Sequence, residues 1–353
     1  MVETLEALKS SGLIYVTDSK PGIYRKGKPG DFHYEDKDGN PLKDENELNR
    51  IAMLVLPPAW TKVWISPKKN GYLQATGFDA AGRKQYRYHA EWTSRRSDSK
   101  YFRLLDFGKA LPKARARIAK DLRRKNFDEL KVLAICVEFM QKTLIRIGNE
   151  SYKQLYGSYG LSTLRNKHVK INGNHLVLSF VGKKGVQQEL SLNDKTLAAL
   201  LRKCKEIPGQ DLFQYYTDGT ERRAIDSGMI NNYIKEITGG DFSAKDFRTW
   251  GGTLEALRQL AICVCGADVI DEKPKKKVIV EVLDCVAAKL GNTRAVCKSS
   301  YVYPLLLEWF EQGELTKYLK KIDVSQRDTP EGIKNDEKVL MSFLRDVQKK
   351  KRP

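Results

Sequence analysis

Several residues of this chain carry side chains that could work on a phosphate. Arg146 follows an apolar run in LIRIGNESY, and Arg248 stands in KDFRTWGG between Phe247 and Trp250; both have apolar neighbours that argue for burial. A guanidinium stays charged when buried and presents a planar fork that matches phosphate geometry. Lys183 lies in FVGKKG between two strand-like stretches, at the tip of a tight hairpin where an amine can reach into a groove. Near the C-terminal end, LGNTRAVCKSSYVYP offers two tyrosines, Tyr301 and Tyr303, beside Pro304. Taken singly, each has an ordinary use: a helix-end arginine in an ion pair, a turn lysine in solvent, a tyrosine pair in a core.

Breaking a phosphodiester needs a nucleophile, cations around the non-bridging oxygens and an acid for the leaving oxygen. Many enzymes use carboxylate-held Mg²⁺ for the charge, but the chain has no D-x-D or H-x-E set of convincing spacing. It also lacks a Walker-type G-x-x-x-x-G-K-[ST], and GKKG at 182–185 is too short to serve as one. Four scattered histidines (His33, His89, His168, His175) give no metal-ligand spacing. No metal and no small-molecule cofactor are therefore expected, which leaves the charge work to Arg and Lys.

Composition points to the same substrate class. A net charge of +19 on 353 residues makes a long-range field that attracts polyanions, nucleic acid first and a membrane surface second. Five Trp and sixteen Tyr are more aromatics than a ribosomal or chromatin protein usually carries. No apolar run approaches the roughly 18 residues that span a bilayer. The N-terminus, MVETLEALKSSGL, has no continuous apolar block, so no secretory signal is expected. Six cysteines without a C-x-x-C are expected as free thiols in a reducing cytoplasm.

The elements that must position these residues fall into two groups. Residues 1–92 read as a β-rich domain: HYEDKDGNPL has a hairpin-type D-G, AWTKVWISP, GYLQATGF and KQYRYHA have strand composition, and GFDAAGRKQ supplies a loop. Residues 93–353 read as mostly helical. A basic helix is expected after Pro112, and FDELKVLAICVEFMQKTLIRIG places Leu130, Leu133, Val137, Met140 and Leu144 at helical spacing. HVKINGNHLVLSFVGKKGVQQELSL then reads as a three-stranded antiparallel sheet joined by Asn172-Gly173 and GKKG. Further helices are expected over NDKTLAALLRKCKE, SGMINNYIKEIT, SAKDFRTWGGTLEALRQLAICVC with Ser243 as N-cap, and KKKVIVEVLDCVAAKLG stopping at Gly291. NTRAVCKSS reads as a polar, mobile loop, and VQKKKRP as a solvated basic end. The fold class is α+β.

The order of motifs is more informative than any one of them. Arg146 in LIRIGN, Lys183 in FVGKKG, Lys245-x-x-Arg248 in KDFRTWGG, Asn292 in GNT and Tyr301 nine residues later together resemble the type IB DNA topoisomerases, in particular the compact poxvirus and bacterial branch. The resemblance covers nearly the whole chain. It implies the catalytic fold shared with tyrosine recombinases, and it implies that Tyr301, not Tyr303, attacks the backbone phosphorus to form a 3′-phosphotyrosyl link. Arg146 and Arg248 would then hold the non-bridging oxygens, with Lys183 as general acid and Lys245 assisting it. Asn292 stands where poxviral members have histidine and would donate an uncharged hydrogen bond. GFDAAGRKQYRYH is similar to a strand-loop-strand that meets the DNA major groove, which implies DNA contacts from Arg83, Gln85, Tyr86 and Tyr88.

The expected partner is duplex DNA, clamped by a monomer in the bacterial nucleoid, with supercoils of either sign relaxed without ATP or metal. Two other readings compete. A tyrosine recombinase typically has H-x-x-R in place of Lys245-x-x-Arg248 and opens with a helical domain. A non-catalytic DNA-binding protein would need only the charge and the aromatic strands.

Overall fold

The computed structural model describes residues 12–80, 82, 84–217, 221–265 and 274–350. The chain divides into two compact units, Met1–Tyr101 and Phe102–Pro353. No helix among the described residues is long and apolar enough to cross a membrane.

The first unit is built on an antiparallel five-stranded sheet of order β2-β1-β3-β4-β5. Its strands are β1 (Ile23–Lys28), β2 (Asp31–Glu35), β3 (Thr61–Ile65), β4 (Leu73–Phe78) and β5 (Lys84–Tyr88). Helix α1 (Glu45–Met53) starts at Asp44, whose carboxylate accepts from the Asn46 N–H. Ile51 of this helix packs with Ile23, Val63, Ile65 and Ala75. Val16, Trp64 and Leu73 form a second cluster, against which Tyr24, Tyr72 and Tyr88 pack. The expected hairpin at Asp38-Gly39 is a turn that closes only an isolated bridge, Glu35 to Pro41. The hairpin forms earlier, between β1 and β2, where Lys28 pairs with Asp31 and Gly30 has φ 95°. Pro29 fixes φ and Gly30 supplies the left-handed residue, a combination that outcompetes D-G here.

The second unit begins in α2 (Ala90–Leu122), which contains Pro112 instead of starting after it. Pro112 is itself exposed, but the carbonyl that loses its i+4 donor is that of Gly108, a buried residue whose missing Cβ leaves room for Trp250 and Met341. Helix α3 (Glu129–Thr143) is capped by Asp128 and buried on nearly every side from Lys131 to Val137. It is thus a central helix, with its apolar residues all round. A short α4 (Glu150–Tyr156) follows. The three-stranded sheet, β6 (Val169–Asn172), β7 (His175–Val181) and β8 (Gln187–Asn193), is antiparallel in that order. The first hairpin turns at Gly173-Asn174, with Gly173 at φ 56°, one residue later than the expected Asn172-Gly173, because Asn172 is still in β6 and pairs with His175.

The remaining helices are α5 (Lys195–Glu206), α6 (Ser227–Thr238), α7 (Ala244–Cys265), α8 (Lys275–Leu290), α9 (Arg294–Ser300), α10 (Pro304–Gln312), α11 (Thr316–Leu319) and α12 (Pro330–Lys350). Ser243 precedes α7 and donates its N–H and Oγ–H to the Asp246 carboxylate at 2.8 and 2.9 Å. Gly291 ends α8 in the left-handed region. Two features depart from expectation. NTRAVCKSS is helical over Arg294–Ser300, capped by Thr293, and is not a loop. A two-stranded ribbon, β9 (Gln214–Thr217) with β10 (Glu221–Ala224), flanks another D-G that the sequence reading passed over. The basic end is helical through Lys350, and its last three residues lie outside the described ones.

Candidate active site

In the second unit, Arg146 is set by how α3 ends. Leu144 takes a left-handed conformation with φ 55°, its N–H bonding back to Met140. The chain then runs extended, and its carbonyls accept from Leu161 N at 2.8 Å (Arg146) and Ser162 N at 2.7 Å (Ile147). Gly148, at φ 87°, and Gly160 let the two backbones touch, since a Cβ on Gly160 would lie 2.6 Å from the Gly148 backbone. This explains why a glycine follows Arg146 so closely. Arg146 Nη2 donates to the Gly291 carbonyl at 2.9 Å and to Asn292 Oδ1.

Arg248 sits one turn inside α7 and is 4% exposed. Its Nη1 donates to the Leu144 carbonyl and its Nη2 to the Leu290 carbonyl, the latter at 3.0 Å. Both carbonyls belong to helix C-terminal ends, where a cation is favoured by the orphan acceptors and the helix dipole. The guanidinium carbon lies 4.9 Å from the centre of the Tyr301 ring. Gly251 and Gly252 allow this helix to approach closely. A Cβ on Gly251 would lie 2.5 Å from the Leu144 side chain, and one on Gly252 3.0 Å from the Tyr301 carbonyl.

Tyr301 ends α9, its N–H bonding to the Cys297 carbonyl at 3.0 Å. Burial would raise its phenol, but Arg248 by charge and hydrogen bond, helped by Arg146 and Lys245, holds it below the usual tyrosine value. Burial, then the like charge of Arg248, lowers the Arg146 guanidinium. Burial pushes the Cys297 thiol up to about 11 although both guanidiniums oppose this, so the thiol is neutral. Neither arginine pairs with a carboxylate among the described residues. In addition, Arg248 Nε and Asn292 Nδ2 are buried donors without a hydrogen-bond partner. Two cations beside one phenol, with two open donors on the same cluster, could take up an anion that the described residues do not supply.

The structure thus brings together Arg146, Arg248, Asn292 and Tyr301, while Tyr303 is buried and packs edge-on against Phe343. Lys245 is exposed in the first turn of α7, close enough to act on the phenol by charge. Lys183 stands in the β7–β8 turn, exposed, beside Lys184 at φ 64° and Gly185 at φ 75°. It is not in contact with the cluster, although neighbouring Gly182 lines the same recess as Arg146, Tyr159, Gln188, Arg248 and Lys289. Gln188 escaped the sequence reading. A Cβ on Gly291 would meet its Oε1, the movable end of a flexible side chain, so it is the φ of 57° that favours glycine at 291.

In the first unit, β5 alternates its residues between two faces. Tyr86 and Tyr88 share one face and stack with centroids 6.1 Å apart, whereas Gln85 projects to the other and donates to Asp79 at 2.9 Å. Lys84 is paired with Asp18 on the tyrosine face. Arg83 lies outside the described residues. Among the described residues no three His, Cys, Asp or Glu cluster as metal ligands.

Comparison with known proteins bears on both units. Residues 89–325 match the family model of the eukaryotic DNA topoisomerase I catalytic core, and residues 31–79 that of the bacterial DNA topoisomerase IB N-terminal domain. The chain is 33% identical over 296 residues to DNA topoisomerase 1B of Acanthamoeba polyphaga mimivirus, covering 83% of this chain and 88% of that protein. Identity to DNA topoisomerase 1B of vaccinia virus (strain Copenhagen) is 23% over 294 residues, 80% of this chain and 88% of that one. A shorter match, 26% over 176 residues, links 47% of the chain to 17% of DNA topoisomerase 1 of Drosophila melanogaster.

Proposed function

The chain belongs to the type IB DNA topoisomerases, isomerases that change DNA topology, and on that premise we propose how its own residues carry the reaction. Tyr301 Oη attacks a backbone phosphorus of duplex DNA. The P–O5′ bond breaks, a 3′-phosphotyrosyl bond forms, the phenol proton goes to water and Lys183 protonates the departing 5′-oxygen. One phosphoester replaces another, so the 5′-hydroxyl can reverse the step and religate without ATP.

Arg146 and Arg248 bind the non-bridging oxygens and stabilise the charge of the pentacoordinate state, where preorganised donors act most strongly. Asn292 Nδ2 adds an uncharged donor, and Lys245 assists the proton transfer to the leaving oxygen. The exposed Lys183 moves toward the cluster when DNA fills the recess. Duplex DNA contacts Gln85, Tyr86 and Tyr88 of the first unit, and Arg83 beside them. The enzyme acts as a monomer, in a bacterial nucleoid, on supercoils of either sign and without metal.

One observation carries this reading: two cations with no carboxylate partner among the described residues lie beside a phenol that Arg248 holds below its usual value. The test is relaxation of a supercoiled plasmid in EDTA without ATP. Wild-type protein should relax it and Tyr301→Phe should not. Failure by the wild type, or full relaxation by Tyr301→Phe, refutes the proposal.

A further inference from the structure

Besides the glycines, the turn of α7 after Arg248 carries a buried hydroxyl that no catalytic role uses. Thr253 is fully buried, and its Oγ1 lies 2.8 Å from the Thr249 carbonyl, the bond a helical threonine makes to its own preceding turn. The same oxygen also reaches outside the helix. It lies 3.1 Å from the Tyr301 carbonyl, to which it can donate, and it accepts from the Tyr303 N–H at 3.2 Å. One hydroxyl thus bridges the peptide groups on either side of Val302, which is itself fully buried.

Its geometry has a mechanical meaning. Thr253 is five residues beyond Arg248 on one rigid helix, and Gly252 next to it leaves the Tyr301 backbone in direct contact. The helix that anchors the guanidinium therefore also anchors the main chain of the phenol that lies against it. Tyr301 itself follows the short α9, so its place depends on what holds it from outside that helix. We propose that Thr253 is a positioning residue for the nucleophile: its hydroxyl locks the Tyr301–Tyr303 backbone to α7 and so fixes the phenol relative to Arg248. This rests on Tyr301 being the nucleophile.

Thr253→Val keeps the shape and removes both hydrogen-bonding functions, while Thr253→Ser keeps the hydroxyl. The experiment is single-turnover cleavage of a duplex carrying a nick opposite the cleavage strand, with DNA affinity measured in parallel. Thr253→Val should cleave about 10- to 100-fold more slowly, the effect of displacing a reacting atom by about an ångström. Its DNA dissociation constant should stay within about twofold of wild type, and Thr253→Ser should recover most of the rate, because the hydroxyl alone is what matters. Wild-type cleavage by Thr253→Val, equally slow cleavage by Thr253→Ser, or a parallel loss of affinity overturns the inference. Mapping the covalent adduct separates the two claims. An adduct that still forms in Tyr301→Phe removes the nucleophile assignment, whereas a Tyr301-dependent adduct formed at full rate by Thr253→Val removes only the role of Thr253.

Discussion

Helix α7 holds two buried arginines, ten residues apart, in opposite ways. Arg258, 8% exposed, meets Asp336 at 2.9 Å with Glu255 at 3.8 Å. Arg248, 4% exposed, meets two carbonyls and a phenol. The first is an ion pair within the fold, at the seam between α7 and α12, although Arg258 Nε and Nη2 and Asp336 Oδ2 are buried without an aligned hydrogen bond. The second is a cation whose surroundings offset its charge with dipoles alone. Arg115 belongs with the first kind, since it makes a bidentate pair with Glu337, which also accepts from the Trp250 indole at 3.0 Å. Burial alone does not mark an arginine as functional. Nor does the lack of a carboxylate, since Arg25 in the first unit, 9% exposed, is held by the Pro57 and Trp60 carbonyls at 3.0 and 2.7 Å; what sets Arg248 apart is the phenol against it and its like-charged neighbour Arg146.

The sharpest way to break this comparison is a pair of alanine substitutions. Arg248→Ala is expected to slow cleavage about 10³-fold or more, the scale of losing a transition-state cation. It should lower stability less than Arg258→Ala does, because it leaves two uncharged carbonyls unpaired and no buried carboxylate. Arg258→Ala should do the reverse, costing about 3–5 kcal/mol of stability by leaving Asp336 buried alone, with near-normal cleavage per folded molecule. Single-turnover cleavage and urea unfolding on both variants test the pair; the contrast fails if Arg248→Ala unfolds easily yet cleaves normally.

The Arg258→Ala deficit should also depend on pH. Burial already raises the Asp336 carboxyl, against the pull of Arg258. Without Arg258 its folded value rises further above the unfolded one, so folding takes up a proton and stability increases as pH falls. Urea midpoints should therefore show a smaller deficit at pH 5 than at pH 7.

Lys183 sharpens the contrast from another direction, since it is exposed where both arginines are buried. Lys183→Ala should bind DNA normally and cleave about 100-fold more slowly. A 5′-thiol leaving group, which needs no proton, should restore the rate; if it does not, Lys183 is not the acid. The smallest effect is expected in the first unit. Tyr86, 49% exposed on β5, should lose only several-fold in DNA affinity on Tyr86→Ala, with cleavage of bound DNA unchanged. A change in cleavage with no change in affinity would contradict a pure binding role.

How far the sequence predicts all this depends on which atoms do the work. Gly291 and Gly173 announce their positions because a left-handed φ restricts residue type. The carbonyls of Leu144, Leu290 and Gly291 that anchor the arginines announce nothing, since every residue has one. Thr253 is equally silent, because a helical threonine ordinarily bonds to its own helix and the second contact is tertiary. Pro112 misleads for a related reason: the helix continues through it because Phe107, Leu111, Ala114 and Ile118 on both sides of it are buried, which is tertiary information. Arg294–Ser300 is polar enough to read as a loop, yet Thr293 caps it and the fully buried Cys297 pins it to the core. Gln85 and Tyr86 are adjacent in sequence but face opposite ways, as strand alternation demands.

The carbonyl anchors have one more consequence. A carboxylate counter-ion would compete with an incoming phosphate and would have to be displaced, making binding sensitive to acid. Carbonyl oxygens neither titrate in the physiological range nor leave, so nothing need be expelled when a phosphate arrives. The two guanidiniums are in effect solvated by fixed peptide groups in place of water. In the proposed role, their hold on a phosphate should persist at any pH at which the protein stays folded.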